Sequence, residues 1–221
     1  TRLKVWQQQG SEFFEEAVVD ADGTMVETTG ECKGGMDINH KGQWGYHPLI
    51  VSLANTAEPL FIYNRRGNRP SHEGAAGYLD RAVQLCRRAG FRKITLRGDT
   101  DFTQTEHLDR WDEDGVQFVF GIDAMPNLYE LVENLPQKAW RRLRRRPKYE
   151  VRTQPRSRPQ NVKEKVVEQR EFENIRLVKE YVAEFDYSPT KCGKTYRVVV
   201  VWKDLEVKKG QRKLFDTERC F

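Results

Sequence analysis

Four aspartates stand in two close pairs, and their spacing is typical of residues that bind a divalent cation. Asp20 and Asp22 occur in the stretch VVDADGT, and Asp99 and Asp101 occur in LRGDTDF. Like charges disfavour each other's ionisation, and a bound cation removes that penalty. Mg²⁺ prefers carboxylate oxygens together with substrate phosphates, and two such ions about 4 Å apart can bind both the attacking and the leaving oxygen of a phosphodiester. The pattern therefore predicts a metal site for phosphoryl chemistry.

Asp22 and Asp99 are the principal candidates for metal binding and catalysis. Asp20 is the alternative first metal ligand, because residues two apart on a strand share one face. Asp101 is a candidate for a residue that does not bind the metal itself but supports the residues that do. The residues alone leave another reading open, in which Asp99 caps the following helix, Asp22 is a turn residue and Asp101 is solvated.

Strands are needed to bring the two acidic pairs together. The first pair ends an apolar strand that contains Val18 and Val19. Apolar runs at 48–54 and 60–65 flank a short turn and predict an antiparallel hairpin. The strand predicted at 93–97 carries Asp99 just past its end.

Helices are predicted between the later strands. Ser71 is a suitable N-cap for a helix that runs to about Ala89, with apolar residues at helical spacing, and Gly90 ends it. The further predictions are an irregular glycine-rich stretch at 28–47, a short helix at 102–111, a buried strand at 116–123 and a helix at 126–135. This order is that of an RNase H-like mixed α/β sheet with flanking helices, in which the first and fourth strands are neighbours. Such a sheet would bring Asp22 next to Asp99.

The bulk composition excludes several classes of protein. The chain has 221 residues and a net charge of +5, and no apolar run approaches the roughly 20 residues of a membrane helix. No secretory signal pattern is present. The four cysteines are too widely spaced for zinc or redox motifs, which favours reduced thiols. The start without Met and the apolar end RCF lead us to interpret the chain as a fragment truncated at both ends.

Positive charge is concentrated in one segment. Residues 1–140 carry 15 Lys/Arg against 21 Asp/Glu, whereas residues 141–170 carry 12 against 3. Arginine binds phosphate through its planar fork, and Trp140 and Tyr149 flank the cluster as candidates for stacking on bases. The predicted DNA-binding residues are Arg141, Arg142, Arg144, Arg145, Arg146, Lys148 and Arg152. We predict that residues 1–140 form the first part of a catalytic core and that 141–221 form a basic, β-rich insertion, incomplete at its C-terminal end.

The long strings around these residues resemble a known family. DADGT after a strand, GYHPLIVSLANT, GNRPSHEGAA, LRGDTDF and DRWDEDGVQFVFGIDAMPNL are similar to the DDE transposases of bacterial insertion sequences, in the branch with a β-strand insertion before the third acid. The resemblance runs from about Val5 to Phe221. It implies an RNase H-like core in which Asp, Asp and Glu bind two Mg²⁺ or Mn²⁺ ions, with Asp22 as the first acid and Asp99 as the second.

The resemblance also implies an activity. Such enzymes cleave transposon ends in double-stranded DNA with water and then join the freed 3′-hydroxyl to target DNA, and we expect a homodimer of the full-length protein in the bacterial cytoplasm, associated with the nucleoid. The Tyr, Arg, Glu and Lys signature around the family's third acid does not occur here at its usual spacing. We therefore expect this chain to be catalytically incomplete by itself.

Two other functions are compatible with parts of the sequence. D-x-D-G-T is also the nucleophile motif of haloacid-dehalogenase-like phosphatases, in which Asp20 would attack phosphorus, Asp22 would act as acid and base, and the G-D-T-D stretch would supply the Mg²⁺ acids. The predicted antiparallel hairpin and the basic segment argue against it. The third possibility is a non-catalytic DNA-binding fragment with inert acids.

Overall fold

The first strand lies in the middle of a mixed β-sheet.

A computed structural model describes residues 2–30, 32–145, 173–209, 212–213 and 219–220. The chain divides into two compact units. We call them the core unit, Thr1–Asp123 with Ser188–Lys194, and the hairpin unit, Ala124–Tyr187 with Thr195–Phe221.

The core unit contains the elements that carry the acids. Its strands are β1 (Glu16–Gly23), β2 (Val26–Glu27), β3 (Asp37–Ile38), β4 (Trp44–Tyr46), β5 (Leu49–Leu53), β6 (Glu58–Tyr63), β7 (Lys93–Gly98) and β8 (Gln117–Phe120). Its helices are α1 (Arg2–Trp6), α2 (Ala75–Ala89) and α3 (Leu108–Glu113), with 3-10 turns at Ser11–Phe14, Thr100–Phe102 and Thr105–His107.

The main sheet has the strand order β6-β5-β1-β7-β8. β1 is antiparallel to β5, which is antiparallel to β6, whereas β1, β7 and β8 run parallel. The first and fourth strands of this RNase H-like sheet are therefore neighbours, and the predicted fold class is confirmed. The antiparallel hairpin also confirms the strand predictions at 48–54 and 60–65, apart from shifts at the strand ends.

One face of this sheet is buried against α2. Ala17, Val19 and Ala21 alternate along β1 and are at most 5% exposed. Helix α2 contacts β1, β5, β6 and β7, and its buried side chains follow helical spacing. They are Ala75, Leu79, Ala82, Val83 and Cys86. Because burial of one Leu side chain contributes about 1.5–3 kcal/mol, this layer holds the sheet and so positions the ends of its strands.

Helix α2 begins later than predicted. Its N-cap is Gly74, in the left-handed conformation with φ 75°, so the prediction that Ser71 caps the helix is wrong. The carbonyls of Pro70, Ser71 and Glu73 instead accept hydrogen bonds from the buried guanidinium of Arg65, which requires an irregular backbone there. The helix ends at Gly90 as predicted, with φ 99°.

Three further predictions need correction. β8 lies at the sheet edge and its Val119 is 62% exposed, so it is not the buried strand predicted at 116–123. The helix predicted at 102–111 is two 3-10 turns followed by α3. The stretch predicted to be irregular folds into a small sheet, β2-β4-β3, where Gly45 allows the strands to approach closely. For β8 and for the small sheet, the outcome depended on neighbouring strands rather than on the local pattern.

The hairpin unit is dominated by two long antiparallel strands. Its elements are α4 (Pro126–Glu133), β9 (Arg141–Arg142), β10 (Glu173–Tyr187), β11 (Tyr196–Lys209), β12 (Arg212–Lys213) and β13 (Arg219–Cys220). The sheet order is β12-β11-β10-β9, and β13 also pairs with β11. The β-rich character predicted for this part of the chain is confirmed, whereas the domain boundary at residue 140 stays a prediction.

Candidate active site

The parallel pairing of β1 and β7 brings the ends of the two strands that carry the principal acids to the same side of the sheet. Val19 pairs with Leu96 and Asp20 pairs with Arg97. The pairing ends there, and Asp22 and Asp99 each follow two residues later, where the two strands end. Because paired strands lie about 4.8 Å apart, the chain leaves adjacent strands on the same side of the sheet at these two acids.

The Asp22 side chain is exposed at the end of β1. Within the described residues it makes no hydrogen bond or ion pair. Its neighbour Ala21 is 5% exposed and belongs to the buried face, so strand alternation puts Asp22 on the other face, together with Asp20. A carboxylate in this setting is available to a cation from solvent.

Asp99 is exposed as well and has one local partner. Its Oδ1 accepts a hydrogen bond from the backbone N–H of Asp101 at 3.0 Å, so Asp99 caps the 3-10 turn Thr100–Phe102. The capping role that was the alternative for Asp99 is therefore present in the structure, at a 3-10 turn. It does not exclude metal binding, because an ionised carboxylate has two oxygens and about four lone-pair sites. Asp101 is exposed.

Asp20 is held by an ion pair. Arg97 donates from Nε to Asp20 Oδ1 at 2.7 Å and from Nη2 to Oδ2 at 2.6 Å. This hydrogen-bonded pairing raises the pKa of Arg97 above its usual value. Both Asp20 oxygens already have a donor, so Asp20 is a weaker candidate for a metal ligand than Asp22. Sequence reasoning missed this pair, because Arg97 becomes the partner of Asp20 only through strand register.

Gly23 explains the glycine of the D-G-T motif. A Cβ at this position would lie 3.0 Å from Cε1 and 3.1 Å from Nε2 of His47, which is tighter than ordinary packing. The His47 ring is itself fixed, since its Nδ1 lies 3.0 Å from the carbonyl oxygen of Arg69. His47 therefore packs under the end of β1, on the side opposite to the Asp22 side chain, and the absence of a Cβ at Gly23 avoids crowding against the His47 ring.

The donor set fits a hard divalent cation in part. Two carboxylates at one strand edge are the type of ligand that Mg²⁺ uses together with substrate oxygens and water. In the parts of the chain that the structure describes, no group of three or more His, Cys, Asp or Glu side chains is arranged to hold a metal ion. The site thus offers a pair of acids, and a third protein ligand is not assigned.

Some of the predicted DNA-binding arginines form ion pairs with glutamates of the hairpin unit. Arg141 forms an ion pair with Glu184 at 2.7 Å, and Arg145 binds both oxygens of Glu180, which is 8% exposed. Among the described residues, exposed Arg142 and Arg144 form no ion pair. The remaining predicted residues, Arg146, Lys148 and Arg152, lie outside the described residues, as does Tyr149.

Trp140 has a structural partner. Its ring meets the Trp202 ring edge-on, with centroids 5.4 Å apart, and Tyr181 contacts the same Trp202 ring at 5.9 Å. This cluster ties the segment before β9 to the long hairpin. It leaves the base-stacking role predicted for Trp140 without structural support.

The fold and the paired acids define an RNase H-like domain with carboxylates at the centre of its sheet. A comparison with known protein families matches residues 4–205 to the family described as Transposase DDE domain group 1. The chain belongs to this family, which makes it a DDE transposase domain whose substrate is DNA. A search of curated proteins found no significant match.

The phosphatase alternative is not supported. Its fold would require alternating parallel βα units after the first acid, whereas β1 pairs antiparallel with β5. Its nucleophile would be Asp20, whose two oxygens are bound by Arg97.

In the described part of the chain, no helix combines the length and the apolar character that a membrane span requires.

Proposed function

We propose that this chain carries the first two catalytic acids of an insertion-sequence transposase that hydrolyses phosphodiester bonds at element ends and transfers the 3′-hydroxyl to target DNA. Asp22 and Asp99 would hold Mg²⁺ or Mn²⁺ in a two-metal site. The observation that supports the proposal is the parallel pairing of β1 and β7, which ends at Asp20 and Arg97, two residues before the exposed Asp22 and Asp99.

Different residues of the chain would have different roles at this site. When bound, the metal ions would activate the attacking water and stabilise the leaving oxygen. Asp22 and Asp99 supply the negative oxygens, and the Asp101 N–H restrains the Asp99 carboxylate. Arg97 neutralises Asp20, so a third uncompensated carboxylate does not crowd the strand ends.

The third acid of the family is a glutamate, by resemblance, and its signature is absent at the usual spacing in this sequence. We therefore expect the 221-residue chain to bind metal and DNA, and to be inactive in cleaving transposon ends by itself. Double-stranded DNA at element ends and at the target is the proposed partner, and a homodimer is the proposed state of the full-length protein. Exposed Arg142 and Arg144 are the described residues of the basic segment that are best placed to contact phosphate.

Metal binding tests the proposal without relying on activity. Titration of Mn²⁺ into the chain, followed by calorimetry and by electron paramagnetic resonance, should show binding that Asp22→Asn and Asp99→Asn each weaken at least about tenfold. Loss of a group that only orients a metal ligand already costs about 10–100-fold in metal affinity. The matched control is Asp114→Asn, because Asp114 is an exposed aspartate at the end of α3, before β8 begins.

The control should bind Mn²⁺ as the wild-type chain does. Equal Mn²⁺ affinity in all three variants would contradict the proposed site. DNA binding that persists in Asp22→Asn and Asp99→Asn, with no Mn²⁺ bound by the wild-type chain, would instead favour the non-catalytic DNA-binding alternative.

A further inference from the structure

A polar groove on the core unit has no role in the metal site. Its volume is about 350 Å³. Its walls come from the loop after β6, from Tyr46 in β4 and from the backbone of Gly34 and Gly35. The side chains that matter are Tyr46, Tyr63, Arg65, Arg66, Arg69 and Glu73. We call it the arginine groove, because three arginines face a single glutamate there.

Arg65 is buried at this groove and forms no ion pair within 4 Å with a described carboxylate, although the nearby charge of Glu73 partly offsets the effect of burial on its pKa. It is 5% exposed, and its Nε donates to the His47 carbonyl at 2.9 Å. Its Nη1 donates to three loop carbonyls at 2.8–3.0 Å, while Nη2 is buried and finds no acceptor in the described structure. Burial lowers the pKa of Arg65. A buried cation satisfied only by carbonyl dipoles favours the approach of an anion.

Arg66 and Arg69 add exposed positive charge to the same groove. Arg66 forms no ion pair with a described residue, and its backbone bridges to Tyr46. Arg69 Nη1 lies 3.5 Å from Glu73 Oε2, and both side chains are more than 40% exposed, so this pair is weak. The groove therefore has an excess of positive charge that no described group neutralises.

The loop that presents these arginines is fixed by close backbone packing. A Cβ at Gly67 would lie 2.3 Å from the Asp37 carbonyl oxygen and 2.8 Å from that of Gly45, so only glycine allows the loop to meet the small sheet. Binding groups held on a fixed backbone lose less entropy when a ligand binds. The charge of the groove is thus pre-positioned.

The groove is linked to the strand end that carries Asp22. His47 accepts from Arg65 through its carbonyl and meets the Arg69 carbonyl through Nδ1. The same His47 ring packs against Gly23, the residue after Asp22. One side chain therefore separates the loop of the groove from the proposed metal site.

We propose that the arginine groove binds a phosphodiester group of the DNA backbone close to the bond that is cut. The guanidinium groups of Arg66 and Arg69 would contact the phosphate oxygens, and the buried charge of Arg65 would add attraction. The inference rests on the proposed function for its ligand, since it takes the phosphate from the DNA substrate. Contacts of this kind position the strand and do not read its sequence.

Equilibrium DNA binding in EDTA tests the groove. Fluorescence anisotropy of a labelled duplex should be measured between about 50 and 200 mM salt for the wild-type chain and for the double variant Arg66→Gln/Arg69→Gln. We expect weaker binding at every duplex sequence, and a salt slope that falls by about 1 because one phosphate contact is lost. The matched control is Arg88→Gln, an exposed arginine near the end of α2.

The outcomes separate the groove from the metal site. Equal losses in the double variant and in Arg88→Gln would overturn the groove, and so would an unchanged salt slope. The wild-type chain could instead be stabilised against thermal unfolding by inorganic phosphate, while the double variant binds DNA as the wild type does. That result would assign the arginine groove to free phosphate and overturn its assignment to DNA. Mn²⁺ binding should be unchanged in the double variant, so a failed metal site and a failed groove give different results.

Discussion

Asp20 on β1 and Arg97 on β7 are direct register partners and form a two-point ion pair, with N–O distances of 2.6 and 2.7 Å. This relationship separates two acids that are only two residues apart. Asp20 is neutralised by Arg97 where β1 and β7 are still paired. Asp22 lies at the end of β1, and its side chain has no partner among the described residues. This difference is the reason that we propose Asp22, and not Asp20, as the first metal ligand.

We expect Asp20→Asn to leave Mn²⁺ affinity within about twofold of wild type, and to lower the free energy of unfolding by less than about 1 kcal/mol, since the pair is partly exposed. Arg97→Gln should have a similarly small effect on stability. Calorimetric Mn²⁺ titration and urea unfolding measure the two quantities. If Asp20→Asn abolished Mn²⁺ binding as fully as Asp22→Asn, Asp20 would have to be reassigned as a ligand.

Gly23→Ala should destabilise the core unit by about 1–3 kcal/mol, because the added methyl overpacks against the His47 ring at 3.0 Å. Displacement of His47 should also disturb the loop of Arg65 and Arg69, which it contacts. Urea unfolding measures the loss. Gly10→Ala is the control, since a Cβ there meets nothing within 4 Å, and a comparable loss in that variant would contradict the packing explanation.

Stability of the hairpin unit should fall in acid because of Glu180. The hydrogen bond from Arg145 lowers the pKa of Glu180 below its usual 4.5. The folded state therefore holds fewer protons than the unfolded state between the lowered pKa and 4.5, so this stabilisation is present above 4.5 and is lost as the pH falls through the lowered pKa.

Urea unfolding of wild type and Glu180→Gln across this acidic range measures the effect. The variant should be less stable at neutral pH and should show a flatter dependence on pH, because its side chain does not titrate. Glu130→Gln, an exposed glutamate in α4, should keep the wild-type pH dependence. The same pH dependence in wild type and Glu180→Gln would show that the Arg145 pair does not contribute.

Cysteine labelling should distinguish the described thiols by burial. Cys86 is fully buried under the sheet, and burial raises its pKa to about 12, so it should resist iodoacetamide in the folded protein at mildly alkaline pH. Cys32 is exposed and should react readily. Mass spectrometry of labelled peptides gives the extent at each site, with urea-unfolded protein as the control. Rapid labelling of Cys86 in the folded chain would contradict its place in the core.

Much of the main sheet was predictable because its signals are local. The apolar runs of β1, β5, β6 and β7 and the helix stop at Gly90 depend on residues that are near each other in sequence. Predictions failed where distant groups decided the structure. The carbonyls of Pro70, Ser71 and Glu73, at the predicted helix start, are bound by Arg65, and β8 is exposed because it is an edge strand.

The sequence by itself determined that two acidic pairs end apolar strands, and the order of elements was enough to predict that the strands before Asp22 and Asp99 are neighbours. Only the tertiary structure decided which acid of the first pair is free, because the partner of Asp20 lies 77 positions away and is chosen by strand register. The arginine groove was likewise invisible in sequence, since its charge depends on burial of Arg65 and on the close packing of a loop against a small sheet. Local patterns specify strands and helices, whereas pairing and burial assign the chemical state of each side chain.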